Sequence, residues 1–215
     1  MPESVLVEKA RRWVVENYPY NREHLLRALE WLDRLAPDAR EAVRLAALTH
    51  DMERAFPGPD SPVLESLDDP VYERLHSERS ARIVAEWLAS HDADEQLTRD
   101  VVALIVAHEV GGTHEADLVQ AADRLSFLET NIDLFLGFVQ SGRFSIDDVR
   151  TKFEHSYHRI RVPDAKALAL PLYENAGARL GQLAASNGNG DGQHARTTRR
   201  TGVQQVLVHK PEKRS

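Results

Sequence analysis

The stretch Leu45-Ala-Ala-Leu-Thr-His-Asp-Met-Glu-Arg54 runs from an apolar helical pattern into an imidazole, a carboxylate and a guanidinium. Ala46, Ala47 and Leu48 are small or apolar enough to bury, so His50 and Asp51 fall where a helix leaves a core and a charged pair needs a partner. A metal ion is the obvious partner. A second pair, His91-Asp92, lies in the polar run Ala-Ser-His-Asp-Ala-Asp-Glu-Gln with no apolar run leading into it. It reads as a solvated helix end.

Upstream of the anchor, Val5, Leu6, Trp13 and Val14 give Ser4 to about Tyr18 near-helical spacing, which stops at Tyr18-Pro-Tyr. Asn21 is placed to cap a helix in which Leu25, Leu29, Leu32 and Leu35 form one stripe, widened by Trp31, with His24 one position before it. Pro37-Asp38 restarts the chain toward His50. Downstream, Phe56 to Pro70 holds four prolines and several aspartates, a long loop just after the site and so a candidate lid.

Helical rhythm returns at about Val71, with His76, Ser80, Ile83, Val84, Trp87 and Leu88, so His76 falls on or beside the buried face. Asp94 to Glu109 carries Leu97, Val101, Leu104, Ile105 and His108 on one stripe. Gly111-Gly112 breaks the chain, and Glu115 begins a helix whose apolar Leu118, Ala121, Ala122, Leu125 and Leu128 enclose Asp123. Segments Ser145 to about Tyr157 and Pro163 to about Ala185 complete the pattern. No alternation for strands appears, so the fold class is all-α, a helical bundle in one domain over residues 4–185. Residues 186–215, which open on a Gly/Asn-rich linker and carry Arg196, Arg199, Arg200, Lys210, Lys213 and Arg214, read as a disordered basic tail.

The totals agree with a single soluble domain. The chain has 215 residues, 42% hydrophobic and 28% charged, with a net charge of -7, which disfavours general nucleic-acid binding. The sequence shows neither a membrane span nor a signal-peptide pattern, so a cytoplasmic protein is expected. With no cysteine, only imidazole and carboxylate remain as strong metal ligands.

His24, His50-Asp51, His76, His108 and Asp123 come from different helical segments, each at or near a core-facing side. Without a metal each would need its own hydrogen-bond solution, whereas one dinuclear site satisfies them together. In that order and spacing, across about residues 20–130, they resemble the HD-domain superfamily of metal-dependent phosphohydrolases. The resemblance implies an all-helical core and a site for two divalent transition-metal ions, iron or manganese above others. His24, His50, Asp51 and Asp123 would be the common ligands, Asp51 bridging, with His76 and His108 completing the second site.

Arg54 stands where several such hydrolases carry Lys, and its planar fork suits phosphate. Asp51 and Arg54 are therefore the expected catalytic pair, with Lys152 a further substrate-binding candidate and Arg159 and Arg161 weaker ones. Glu109, directly after His108, is a candidate for orienting an imidazole. The expected partner is a small phosphorylated metabolite or nucleotide. The Gly-Tyr-Pro signature of cyclic-dinucleotide phosphodiesterases is missing after His108. Di-iron oxygenases of small, phosphonate-type substrates use the same ligand set and form the alternative.

Overall fold

The computed structural model describes residues 4–188, and the stretch expected to be a basic tail lies outside them from residue 189 onward. Among the described residues there are nine α-helices and no strand. The first, α1 (Val5–Asn17), is capped by Ser4, whose Oγ accepts from the Val7 amide at 3.1 Å, and it buries Val7, Ala10 and Val14. α2 (Arg22–Leu35) buries His24, Leu25, Ala28, Leu29, Trp31 and Leu32 along the expected stripe. Asn21 precedes it without making the expected side-chain cap.

α3 (Glu41–Thr49) begins after Arg40 rather than at Pro37-Asp38, because residues 36–40 turn before the helix winds. Every α3 residue from Ala42 to Thr49 except Arg44 is buried. Ala42, Ala46 and Ala47 let α1, α2, α5 and α6 close around it, so α3 ends inside the domain. A 3-10 turn, Met52–Ala55, follows Asp51 directly.

α4 (Pro70–Ala89) starts on an Asp69 cap with Pro70 in its first turn, and α5 (Glu95–Ala107) starts on an Asp94 cap. α6 (His114–Thr130) is the central helix, with Leu118 to Leu128 buried without interruption. It packs on α2 and α3 and on two later helices, α8 (Ile146–His158) and α9 (Pro163–Gly188). Small residues at Ala121, Ala122 and Ser126 make that all-round contact possible. α9 runs three residues past the expected boundary at 185. The sequence reading had passed over α7 (Ile132–Gln140), a short helix between α6 and α8.

One polar tie fixes the α2–α6 pair. Glu129 accepts from Arg27 Nε at 2.6 Å, Arg27 Nη2 at 2.9 Å and Trp31 Nε1 at 2.7 Å. Burial pushes its carboxyl up, but the Arg27 fork and the indole outweigh burial and hold it below the usual range. A depressed carboxyl stabilises the fold above its unfolded value, about 4.3, and the gain fades as pH falls through the folded value. Glu129→Gln is therefore expected to cost about 1 kcal/mol at neutral pH, a figure kept small by partial exposure. In urea unfolding, the gap between variant and wild type should shrink from about pH 5 downward. A gap unchanged by acid would assign the loss to packing instead.

Candidate metal centre

Four helices and one turn bring the six residues together. His24 lies in the first turn of α2, His50 and Asp51 follow the end of α3, His76 sits in α4, His108 caps α5 and Asp123 is in mid-α6. All six are at most 6% exposed. The imidazoles form a chain, with ring centroids 5.3 Å apart for His24 and His50, 4.9 Å for His50 and His108, and 5.2 Å for His108 and His76.

Hydrogen bonds on the far side of three rings set their tautomers. His50 Nδ1 donates to the Ala47 carbonyl at 3.0 Å, and His108 Nδ1 donates to the Ile105 carbonyl at 2.6 Å. Ser126 spends its only hydrogen on the His24 carbonyl, so His24 Nδ1 donates to Ser126 Oγ at 3.0 Å. In their neutral forms all three rings then turn an Nε2 lone pair toward the cluster, the arrangement a metal ligand needs.

The carboxylates meet those lone pairs. Asp123 Oδ1 lies 3.2 Å from His24 Nε2 and 3.4 Å from His50 Nε2, while Asp51 Oδ1 lies 3.6 Å from His76 Nε2. Glu109 joins them, with Oε1 3.5 Å from His76 Nε2 and 3.7 Å from His108 Nε2. Three overlapping sets, His24/His50/Asp51, His50/His108/Asp123 and Asp51/His76/His108, each bring three donor atoms within 4.8 Å of one another. His50 Nε2 and both nitrogens of His76 are buried without a hydrogen-bond partner. Orphaned imidazole nitrogens between carboxylates fit a metal-ion site.

Charge is concentrated here. Burial pushes the Asp51 carboxyl up, but Arg54 and the imidazoles overcome that and hold it well below the usual range. Asp123 and Glu109 are likewise lowered against burial, each chiefly by Arg124. Burial lowers His76, yet Glu109 and Glu53 overturn that and raise it to about 9, whereas burial and its imidazole neighbours bring His108 down to about 4.

A cavity of about 180 Å³ opens beside the cluster, and of the six residues His24 and Asp123 line it. Arg54, Arg124 and Lys152 line it too. Arg54 Nη1 donates to Asp51 Oδ2 at 2.6 Å, and Arg124 donates to Glu109. The Nε–H of each has no hydrogen-bond acceptor, the nearest carboxylates lying 3.8 and 3.7 Å away. The Pro-rich loop covers one side through Pro57, Pro62, Leu64 and Leu67. Arg79 anchors that loop from α4 by donating to the Glu53 and Phe56 carbonyls at 2.9 and 2.7 Å.

Arg159 and Arg161 stand apart from the cavity. Arg159 is bound to both Glu73 oxygens at 2.9 and 3.0 Å, and Arg161 faces Asp117. His91 stacks on Trp87, and Asp92 is exposed, away from the cluster. Arg124 had escaped the sequence reading, since an arginine after Asp123 looks like the solvated side of a helix. Its only signal there was adjacency to Asp123.

Comparison with protein-family models matches residues 21–128, half of the chain, to the HD domain. No curated protein and no solved structure matches the chain. The matched range contains all six residues.

Proposed function

We propose, from the premise that this chain belongs to the HD domain family, that it is a metal-dependent phosphohydrolase of a small phosphorylated substrate. His24, His50, Asp51, His76, His108 and Asp123 would hold two divalent transition-metal ions. The observation that carries this reading is that a buried cluster of imidazoles and carboxylates reaches, through His24 and Asp123, a cavity also lined by three cations, Arg54, Arg124 and Lys152. A shell this rich in nitrogen suits iron or manganese better than magnesium. Bound there, such ions supply Lewis acidity and bring the pKa of a water toward about 7.

The chain's own residues do the remaining work. Arg54, Arg124 and Lys152, which line the cavity, would fix the phosphoryl group and offset its charge. The Pro-rich loop and α7 supply apolar walls to the cavity. Water's oxygen then joins phosphorus as the P–O bond to the organic group breaks, and the departing oxygen takes a proton.

Turnover without oxygen tests the reaction class. Full-length protein loaded with manganese under nitrogen is expected to release inorganic phosphate from small phosphate monoesters. Strict dependence on oxygen and on iron would instead support a di-iron oxygenase, which uses the same donor set. Because Arg54 also braces Asp51, Arg54→Ala should raise KM, lower kcat and weaken metal affinity about 10-fold or more. Arg54→Lys should recover part of the loss, since an ammonium keeps the charge without the fork.

A further inference from the structure

Six of the nine residues of α7 are apolar, yet only Ile132 and Phe135 are buried. Leu134 is 43% exposed and Phe138 half-buried. Both line the cavity beside the cluster, and both also line a second cavity, of about 540 Å³, which shares Tyr20 and Asn21 with the first. The two cavities thus adjoin along α7, the second lying beside the exposed Arg22 and Arg143. Leu64 and Leu67 of the Pro-rich loop line the first cavity as well.

The lining of the first cavity is not uniform in chemistry. Beside the cluster it carries Arg54, Arg124 and Lys152, cations that suit an anionic group. Along the α7 stretch the lining is Leu134, Phe135 and Phe138, with Phe127 in edge contact with Phe135. Apolar side chains are covered best by an apolar group.

Resting on the phosphohydrolase reading, we infer that the substrate is a phosphate ester of an apolar alcohol. Its alkyl or aryl part lies against Leu134, Phe138, Leu64 and Leu67. The phosphate faces Arg54 and Arg124. Leu134 and Phe138 act as specificity-determining residues, and a nucleoside or sugar phosphate is the poorer fit.

Ethyl, butyl and hexyl phosphates, glycerol 3-phosphate and adenosine 5′-monophosphate compare these classes on the metal-loaded full chain. From ethyl to hexyl, kcat/KM is expected to rise about threefold per methylene, with the gain mostly in KM. Leu134→Ser and Phe138→Ser should flatten that series. The ratio of two esters on one preparation does not depend on how much of it is folded. A flat series in the wild type, or preference for glycerol 3-phosphate or the nucleotide, overturns the inference and leaves the hydrolase reading standing.

If no ester is cleaved with any metal, the hydrolase reading fails, and binding of ethyl- and hexylphosphonate by calorimetry decides the pocket separately. Tighter binding of the hexyl compound then supports an apolar subsite, and equal binding overturns it. A change of sedimenting mass in Phe138→Ser without a change in ester ratio would assign this face to contact between copies of the chain, which also overturns it.

Discussion

Asp51→Ala is expected to empty the cluster of metal and abolish turnover, whereas Asp92→Asn leaves both at wild-type levels. Asp51 is 3% exposed, with one oxygen 3.6 Å from His76 and 4.0 Å from His50, the other 3.9 Å from His24. Within 4.0 Å, Asp51 reaches three of the imidazoles, and Asp123 and Glu109 two each. Groups that only orient a ligand typically cost 10–100-fold when removed, so loss of a shared ligand should exceed about 100-fold in both metal affinity and rate. Asparagine is the cleaner control at position 92, because Asp92 has a φ of 56°, which asparagine tolerates and alanine does not. Metal analysis of protein purified without added metal reads the result. Equal metal content in wild type and Asp51→Ala would refute the proposed centre.

Arg124→Met is expected to be the most destabilising single change near the site. Arg124 is 3% exposed and Glu109 9%, and the guanidinium is the main influence holding Glu109 charged inside the domain. Removing one partner of a buried pair leaves an uncompensated charge, at a cost of about 3–5 kcal/mol. For a domain of this size that is a fall of roughly 10 °C in melting temperature. Adding Glu109→Gln to Arg124→Met should recover part of the loss, since the stranded charge is gone. A double variant less stable than the single would show that Arg124 stabilises by packing and not through the pair. Thermal unfolding of metal-free protein measures this without interference from metal binding.

The α2 and α5 stripes were read best from sequence because each has one dry face, with apolar residues three and four apart, and Leu25, Leu29, Leu32, Val101, Leu104 and Ile105 are buried where that rhythm places them. The six-residue constellation was legible for a related reason. A histidine or aspartate on an otherwise apolar face stands out, and six of them in order carry more information than any one. Arg124 and α7 were not legible. Arg124 is buried because α6 is enclosed on every side, and no residue near 124 announces that. In α7 apolar residues fill both faces, so the rhythm that marks a one-sided helix is missing.

By itself, then, the sequence determined the all-helical class and every winding segment but α7, and it singled out His24, His50, Asp51, His76, His108 and Asp123 as candidates that the structure gathers into one cluster. Those properties depend on residue type and on spacing within one helix, which periodicity reports. The tertiary structure alone decided that Glu109 lies as close to two imidazoles as Asp51 does to one, and that Arg124 rather than Arg159 or Arg161 faces the cavity. It also decided that α7 walls the cavity beside the cluster. Each of these rests on the angle and depth at which separate helices cross, which packing of side chains from distant parts of the chain sets, and which no local pattern encodes.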